Sequence, residues 1–455
     1  MSRLASLLCC ALALGCSRGP ERIAERPVPR DDRAARAAEV RAELRHAWDG
    51  YVRYAWGHDE LRPLTRAGRD WYAHTLLITP VDALDALYLL GFADEADRTR
   101  DYIDRRLTFD LDISVKNFEI TIRVLGGLLS AHQISGDPRL LALAEDLGRR
   151  LLPAFDSPTG MPYVNVNLRT GKTSGAESNP AEIGTLLLEF GTLARLTHDD
   201  RYYAKAKRAL VELDRRRSPL GLPGESIDVE TGVWKGTASH IGGGIDSYYE
   251  YLLKAWILFG DEDCRRMWLA SIAALNRAVA DERPDGLWYG EVDMATGRRT
   301  ATEIGALHAF FPAVLALGGD VPRARRLQES LFRMWTENGI EPDGFDYVTR
   351  RPTAPGYPLR PEIIESAYYL RHYTKDPRYI DMGRTFLRDL EACCRTDAGY
   401  ATLESVVTRK QGDLMPSYFL AETLKYLYLL FAPDDALDLE HVVLTTEAHP
   451  LRRTW

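Results

Sequence analysis

The sequence predicts an all-α fold, a closed toroid of seven helical hairpins over about residues 37–455, and three observations point to it. Five stretches share one turn, "SGDPRLL", "THDDRYY", "FGDEDCR", "GGDVPRA" and "TKDPRYI", placing Asp137, Asp199, Asp261, Asp320 and Asp376 at intervals of 62, 62, 59 and 56 residues. Looser copies at Asp94 and Asp434 make seven. Each turn follows an apolar run and opens an amphipathic one, so each unit reads helix, tight turn, helix, and such hairpins bury their faces only by stacking. Lastly, Val442, Val443, Thr445 and Thr446 make the final segment strand-like, which suits a piece of chain that enters the ring and plugs it.

The start, "MSRLASLLCCALALGC", sets one Arg before an apolar run too short to cross a bilayer, and reads as a secretory leader over residues 1–15. Ala13-Leu14-Gly15-Cys16 fits a bacterial lipobox, so Cys16 is expected to carry lipid. The protein would then be exported to the periplasm or surface of a bacterium and meet membrane only through that anchor. Residues 16–36 read as a polar tether, and 37–455 as a single domain. Within the units, first helices such as "IGTLLLEFGTLARL" and "YYEYLLKAWILF" are apolar nearly all round and belong inside. The second helices are amphipathic and rich in Arg and Lys, as an outer ring requires. Their opening Asp suits an N-cap, often with Pro just after it.

Composition narrows the function classes. Hydrophobic content of 45% and charged content of 27% describe a globular protein, and a net charge of −8 without a basic stripe argues against a nucleic-acid partner. Beyond the leader, Cys264, Cys393 and Cys394 make neither a metal-ligand spacing nor a disulfide framework, and are expected to pack. The 22 Tyr and 9 Trp suit a sugar-binding cleft and a large core equally. A monomer is expected.

Counting back from each turn to the start of its inner helix finds an acid every time: Asp82, Glu119, Glu182, Asp246, Glu303, Glu362 and Glu422. In a ring these would face one mouth. The helix dipole alone accounts for some of them, Asp246, Glu362 and Glu182 included, and Glu119 with Arg123 could be a simple i,i+4 pair. Glu422, inside "SYFLAETLKYLYLLF", is harder to dismiss because an unpaired buried carboxylate is expensive. Convergent acids call for a cation, a polyhydroxylated ligand or both. The terminal strand would bring Thr446 and Glu447 among them, and calcium accepts hydroxyl, carbonyl and water oxygens.

At these residues the sequence resembles the class I α-1,2-mannosidases, glycoside hydrolase family 47. The likeness runs through "AWDGYVRYAWGHDELRPL", "NFEITIRVLGGLLSAH", "GTLLLEFGTLARLT", "GIDSYYEYLLKAWILFGD", "YPLRPEIIESAYYL", "SYFLAETLKYLYLLF" and "TTEAHPL". It implies an (α/α)7 barrel plugged by a C-terminal β-hairpin, and calcium-dependent inverting removal of terminal α-1,2-linked mannose from a glycan or oligosaccharide. By the same resemblance Glu119 is the general acid, Glu362 or Asp246 the base, and Thr446 the calcium ligand. Arg123, Glu182, Glu365, Glu422 and Glu447 would hold the terminal mannose and the calcium-bound waters, with Tyr418 against the sugar. Gly244, "YPLRPE" and "GTLLLEF" look like the EDEM branch, whereas "YAWGHDEL" looks like the ER type. An EDEM-like protein that binds mannose-rich glycans with little hydrolysis, and an α/α-toroid lyase or epimerase, are the alternatives.

Overall fold

The structure, a computed structural model, describes residues 32–453. The expected leader, Cys16 and most of the tether therefore lie outside the described residues. Helix Arg33–Tyr54 begins before the expected domain start at 37, so residues 33–36 form its first turn rather than the end of a tether.

Six units run as the sequence predicts. Their outer helices are Ala93–Arg106, Pro138–Leu151, Asp200–Asp214, Glu262–Ala278, Val321–Asn338 and Arg378–Cys394. Inner helices are buried on every side, as with the run from Leu187 to Ala194. Outer ones bury a single stripe, as Leu140, Ala144, Leu147 and Leu151 do. Asp137, Asp199, Asp261 and Asp320 each accept a backbone N–H of the following turn and are N-caps as expected. Asp94 instead lies within the first turn of its helix and caps nothing.

The seventh unit differs from the expectation. No helix follows Asp434 among the described residues; helix Arg33–Tyr54 packs against the inner helix Leu424–Phe431 and takes the last outer position. The segment after Phe431, "APDDALDLEH", has too few apolar residues at helical spacing to bury a face. Arg33–Tyr54 offers Val40, Leu44, Ala47, Trp48 and Tyr51. Asp434 pins the seam through Arg33 at 2.8 Å and Lys375 at 3.2 Å.

A second repeat, not anticipated from the sequence, decorates the mouth. Five hairpins carry the turns "NLRTG", "DVETG", "DMATG", "DYVTR" and "SVVTR". In each, the first side chain (Asn167, Asp228, Asp293, Asp346 or Ser405) accepts the N–H groups two and three residues on. The fifth position takes the left-handed conformation, as Gly171, Gly232 and Gly297, and at some cost as Arg350 and Arg409. These hairpins clamp the short strands that feed the inner helices. Asn165–Asn167 pairs with Ser114–Lys116 just before Glu119, Ser226–Asp228 with Glu177–Ser178 before Glu182, and Glu291–Asp293 with Ala238–Ser239 before Asp246.

The chain's last strands form the expected hairpin, with Val442–Leu444 antiparallel to Pro450–Arg452 and Val443 opposite Leu451. Its turn is tied by Thr445 N–H to His449 O at 3.0 Å, and Lys425 Nζ donates to Ala448 O at 2.8 Å. A buried charge cluster fastens it to the barrel wall. His449 meets Asp85 at 2.7 Å and Asp82 at 3.2 Å, and Lys425 meets Asp85 at 2.7 Å. Burial alone would neutralise these groups. On Asp85 the charges of Lys425 and His449 overcome it and hold the pKa at about 2; on His449 the two aspartates overcome it and raise the pKa to about 9. Cys264 and Cys394 are buried and Cys393 partly so, all free thiols that pack as expected.

Candidate active site

A cavity of about 310 Å³ lies among the starts of the inner helices, and all ten residues to which the resemblance gives a role line it. Different local devices put them there. Asp246 and Glu362 are the first residues of helices Asp246–Phe259 and Glu362–Thr374. Glu182 sits in the first turn of Pro180–Gly184, where the cap Asn179 accepts its N–H at 3.0 Å. Glu119 immediately precedes the π-helical stretch Ile120–Leu125, which carries Arg123, and Glu422 lies inside another, Phe419–Thr423. A π turn inserts a residue and rotates the side chains beyond it, a distortion found mostly at functional positions. Thr446 and Glu447 arrive on the turn of the C-terminal hairpin, and the Thr446 N–H reaches Tyr251 Oη at 3.4 Å. Glu365 accepts from Tyr426 Oη at 3.2 Å. Tyr418 donates to Pro358 O at 2.7 Å, and the guanidinium groups of Arg123 and Arg360 lie over its ring, 5.4 and 5.7 Å from its centre.

Electrostatics set the character of the cavity. Eight carboxyls line it against the cations Lys116, Arg123 and Arg360. Arg123 donates from Nε to Glu119 at 3.1 Å and from Nη1 to Glu447. Burial works against its charge, but Glu447 and Glu119 outweigh that and keep it firmly protonated. Burial pushes Asp246 and Glu362 up to about 7 and Glu365 to about 8. It raises Glu422 and Glu447 as well, the charge of Glu447 adding to the effect on Glu422 and that of Arg123 opposing it on Glu447. Glu362 Oε2 has no protein partner although it is buried.

Two of the seven counted acids do not reach the cavity. Glu303 is exposed on the strand Glu303–Ile304, because its helical segment starts only at Ala306; Leu307 and Phe310 line the wall instead. Asp82 is wholly buried in the hairpin anchor and bonded by the Ser417 hydroxyl. Lining residues that the sequence reading missed include Lys116, Asn179, Glu250 and Arg360. Glu250 had a usable signal, lying one helical turn beyond Asp246.

The donor set suits a hard cation. It is all oxygen, crowded with carboxyls that burial and mutual repulsion push toward protonation, and a divalent ion would reverse that pressure. A separate group, Glu225, His240 and Glu291, brings ligand-type atoms within 4.8 Å of one another. It fits a metal poorly: His240 Nδ1 accepts the Gly242 N–H at 3.1 Å, which leaves the proton on Nε2, the nitrogen facing Glu225.

Buried carboxyls able to give and take protons in a polar pocket, stoppered by the chain's own hairpin, are the equipment of a glycoside hydrolase. The chain belongs to glycosyl hydrolase family 47, whose profile matches residues 43–453. It is 40% identical over 443 residues to alpha-mannosidase I MNS5 of Arabidopsis thaliana, covering 91% of this chain and 76% of that one. It is 38% identical over 445 residues to mannosyl-oligosaccharide 1,2-alpha-mannosidase IB of Mus musculus, covering 91% and 69%. The solved alpha-1,2-mannosidase from Trichoderma reesei superposes with a TM-score of 0.86 at 29% identity, covering 92% of this chain and 99% of that one.

Proposed function

We propose that the protein is an exo-acting, inverting α-1,2-mannosidase that removes terminal α-1,2-linked mannose from mannose-rich glycans or manno-oligosaccharides and depends on calcium. The observation that carries this reading is the meeting, in one small cavity, of Glu119, Asp246 and Glu362 with the hairpin tip Thr446. Glu119, held by Arg123, acts as general acid on the glycosidic oxygen. Glu362 or Asp246 takes the proton of the attacking water, and a pKa of about 7 suits either to that task. Arg123, Glu182 and Tyr418 position the sugar. Thr446, with waters held by Glu365, Glu422 and Glu447, would hold the calcium. When bound, the ion supplies a positive charge that orients sugar hydroxyls and favours the ionised carboxylates.

The experiment is hydrolysis of α-1,2-, α-1,3- and α-1,6-mannobiose with and without chelator, following the first anomer released by NMR. Turnover of the α-1,2 isomer with β-mannose appearing first is expected, and loss of turnover on chelation. Initial α-mannose would end the inverting scheme. An EDEM-like binder with little hydrolysis is the second reading, favoured by Gly244, which lines the cavity two residues before Asp246 and places no side chain there. Binding of α-1,2-mannobiose without cleavage would select it. The leader supports placing the protein as a bacterial lipoprotein; Cys16→Ser should then move it from the membrane fraction to the soluble one.

A further inference from the structure

We propose that Lys116 is a substrate-binding residue that contacts the sugar on the leaving side of the scissile bond, and so sets the preference for a second sugar unit over a bare aglycone. The proposal rests on the exo-mannosidase reading above, and its basis is position. Lys116 ends the strand Ser114–Lys116, where it pairs with Asn165 and its N–H donates to Tyr72 Oη at 3.1 Å, so its backbone is fixed three residues ahead of Glu119. Its side chain lines the cavity and reaches Glu182 at 2.7 Å, joining the strand that feeds one inner helix to the first turn of the next.

Exposure orders these groups by depth. The side chain of Glu447 is 7% exposed, that of Glu119 23% and that of Lys116 38%. A terminal mannose occupies the floor beside Glu447 and Thr446, and its bond oxygen lies at Glu119, the acid that protonates it. The departing sugar then lies outward of Glu119, on the side from which the Lys116 side chain, the most exposed of the three, enters the cavity to reach Glu182. That ammonium has three hydrogens, and the Glu182 contact uses one of them. The remaining two are left for other acceptors, on a side chain whose position Glu182 already fixes, so donating to a sugar hydroxyl costs little further ordering.

The test measures affinity by calorimetry for two probes, methyl α-mannoside and a thio-linked α-1,2-mannobiose that resists hydrolysis. It compares wild type with Lys116→Met and Lys116→Arg. Lys116→Met is expected to weaken the two-sugar probe about ten-fold while the one-sugar probe stays within about two-fold, and Lys116→Arg should recover most of the difference. Equal weakening of both probes would show that Lys116 only props Glu182, and no change in either would show that it touches no sugar; both results overturn the proposal. Equal affinity of wild type for the two probes overturns it as well. A wild type that prefers the two-sugar probe but does not cleave mannobiose defeats the hydrolase reading alone, and the Lys116 comparison still decides the residue's role.

Discussion

Glu119 offers the sharpest single-residue test. Glu119→Gln keeps the shape and the hydrogen-bonding reach toward Arg123 but removes the proton to be donated. It should lower turnover of α-1,2-mannobiose by a factor of roughly 10² to 10⁴ while affinity for methyl α-mannoside, measured by calorimetry, is retained. Asp246 and Glu362 lead to a pH prediction. Both stand at about 7 through burial, and a base works only when ionised, so kcat/KM should fall as pH drops through that value. A cation beside them favours the charged forms. Raising calcium should therefore move the acid limb to lower pH, and a limb that ignores calcium would separate the base from the ion. What the sequence disclosed at this scale followed physical cost. Glu422 stood out because a carboxyl among Leu, Phe and Tyr demands a reason. Glu303 misled because equal spacing along the chain is not equal position in space, and Arg360 hid beside Glu362 because nothing local marks a guanidinium that lies over a ring.

Among the elements, the C-terminal hairpin is held by ions more than by its few strand bonds. Asp85 neutralises both Lys425 and His449, with every member buried. Asp85→Ala leaves the buried Lys425 without a counter-charge and His449 with Asp82 alone, and should cost about 3–5 kcal/mol, read from denaturant midpoints, together with loss of calcium binding by calorimetry. A plug fastened some other way would tolerate the change. A strand-like plug was readable from its β-branched residues, and the hairpin from the family resemblance, but its anchor was not, because Asp82 and Asp85 are more than three hundred residues away in sequence. The rim hairpins were overlooked for a different reason. Their signature is five residues long, its first position accepts Asn, Asp or Ser, and its left-handed position takes Gly or Arg, so no single letter beyond the Thr repeats.

For the whole molecule, the acid cluster couples stability to pH and metal. Carboxyls whose folded pKa is raised bind more protons folded than unfolded between about 4 and 8, so the cation-free protein should lose stability as pH rises through that window. Chelation should accordingly lower the Tm much more at pH 8 than at pH 5, by differential scanning calorimetry. The seam offers a second test. A chain lacking residues 33–54 exposes the apolar face of Leu424–Phe431 and should aggregate, and adding those residues as a separate peptide should restore a soluble, helical complex. The repeat was legible to six units because an apolar run, a tight Asp-bearing turn and an amphipathic run are local chemistry, even where, as at Asp94 and Asp376, the Asp is not the cap. The seventh was not, since only the closed ring shows that its outer helix comes from the far end of the chain.

That borrowed helix has a consequence for biogenesis. Tyr54 and Leu424 are separated by about 370 residues, which a ribosome needs roughly 20 to 70 seconds to add. Throughout that time the helix Arg33–Tyr54 has a sticky flank and no mate. Maturation of this protein is thus a wait for its own tail, and whatever shields Val40, Leu44 and Trp48 during translation governs the yield of finished barrels.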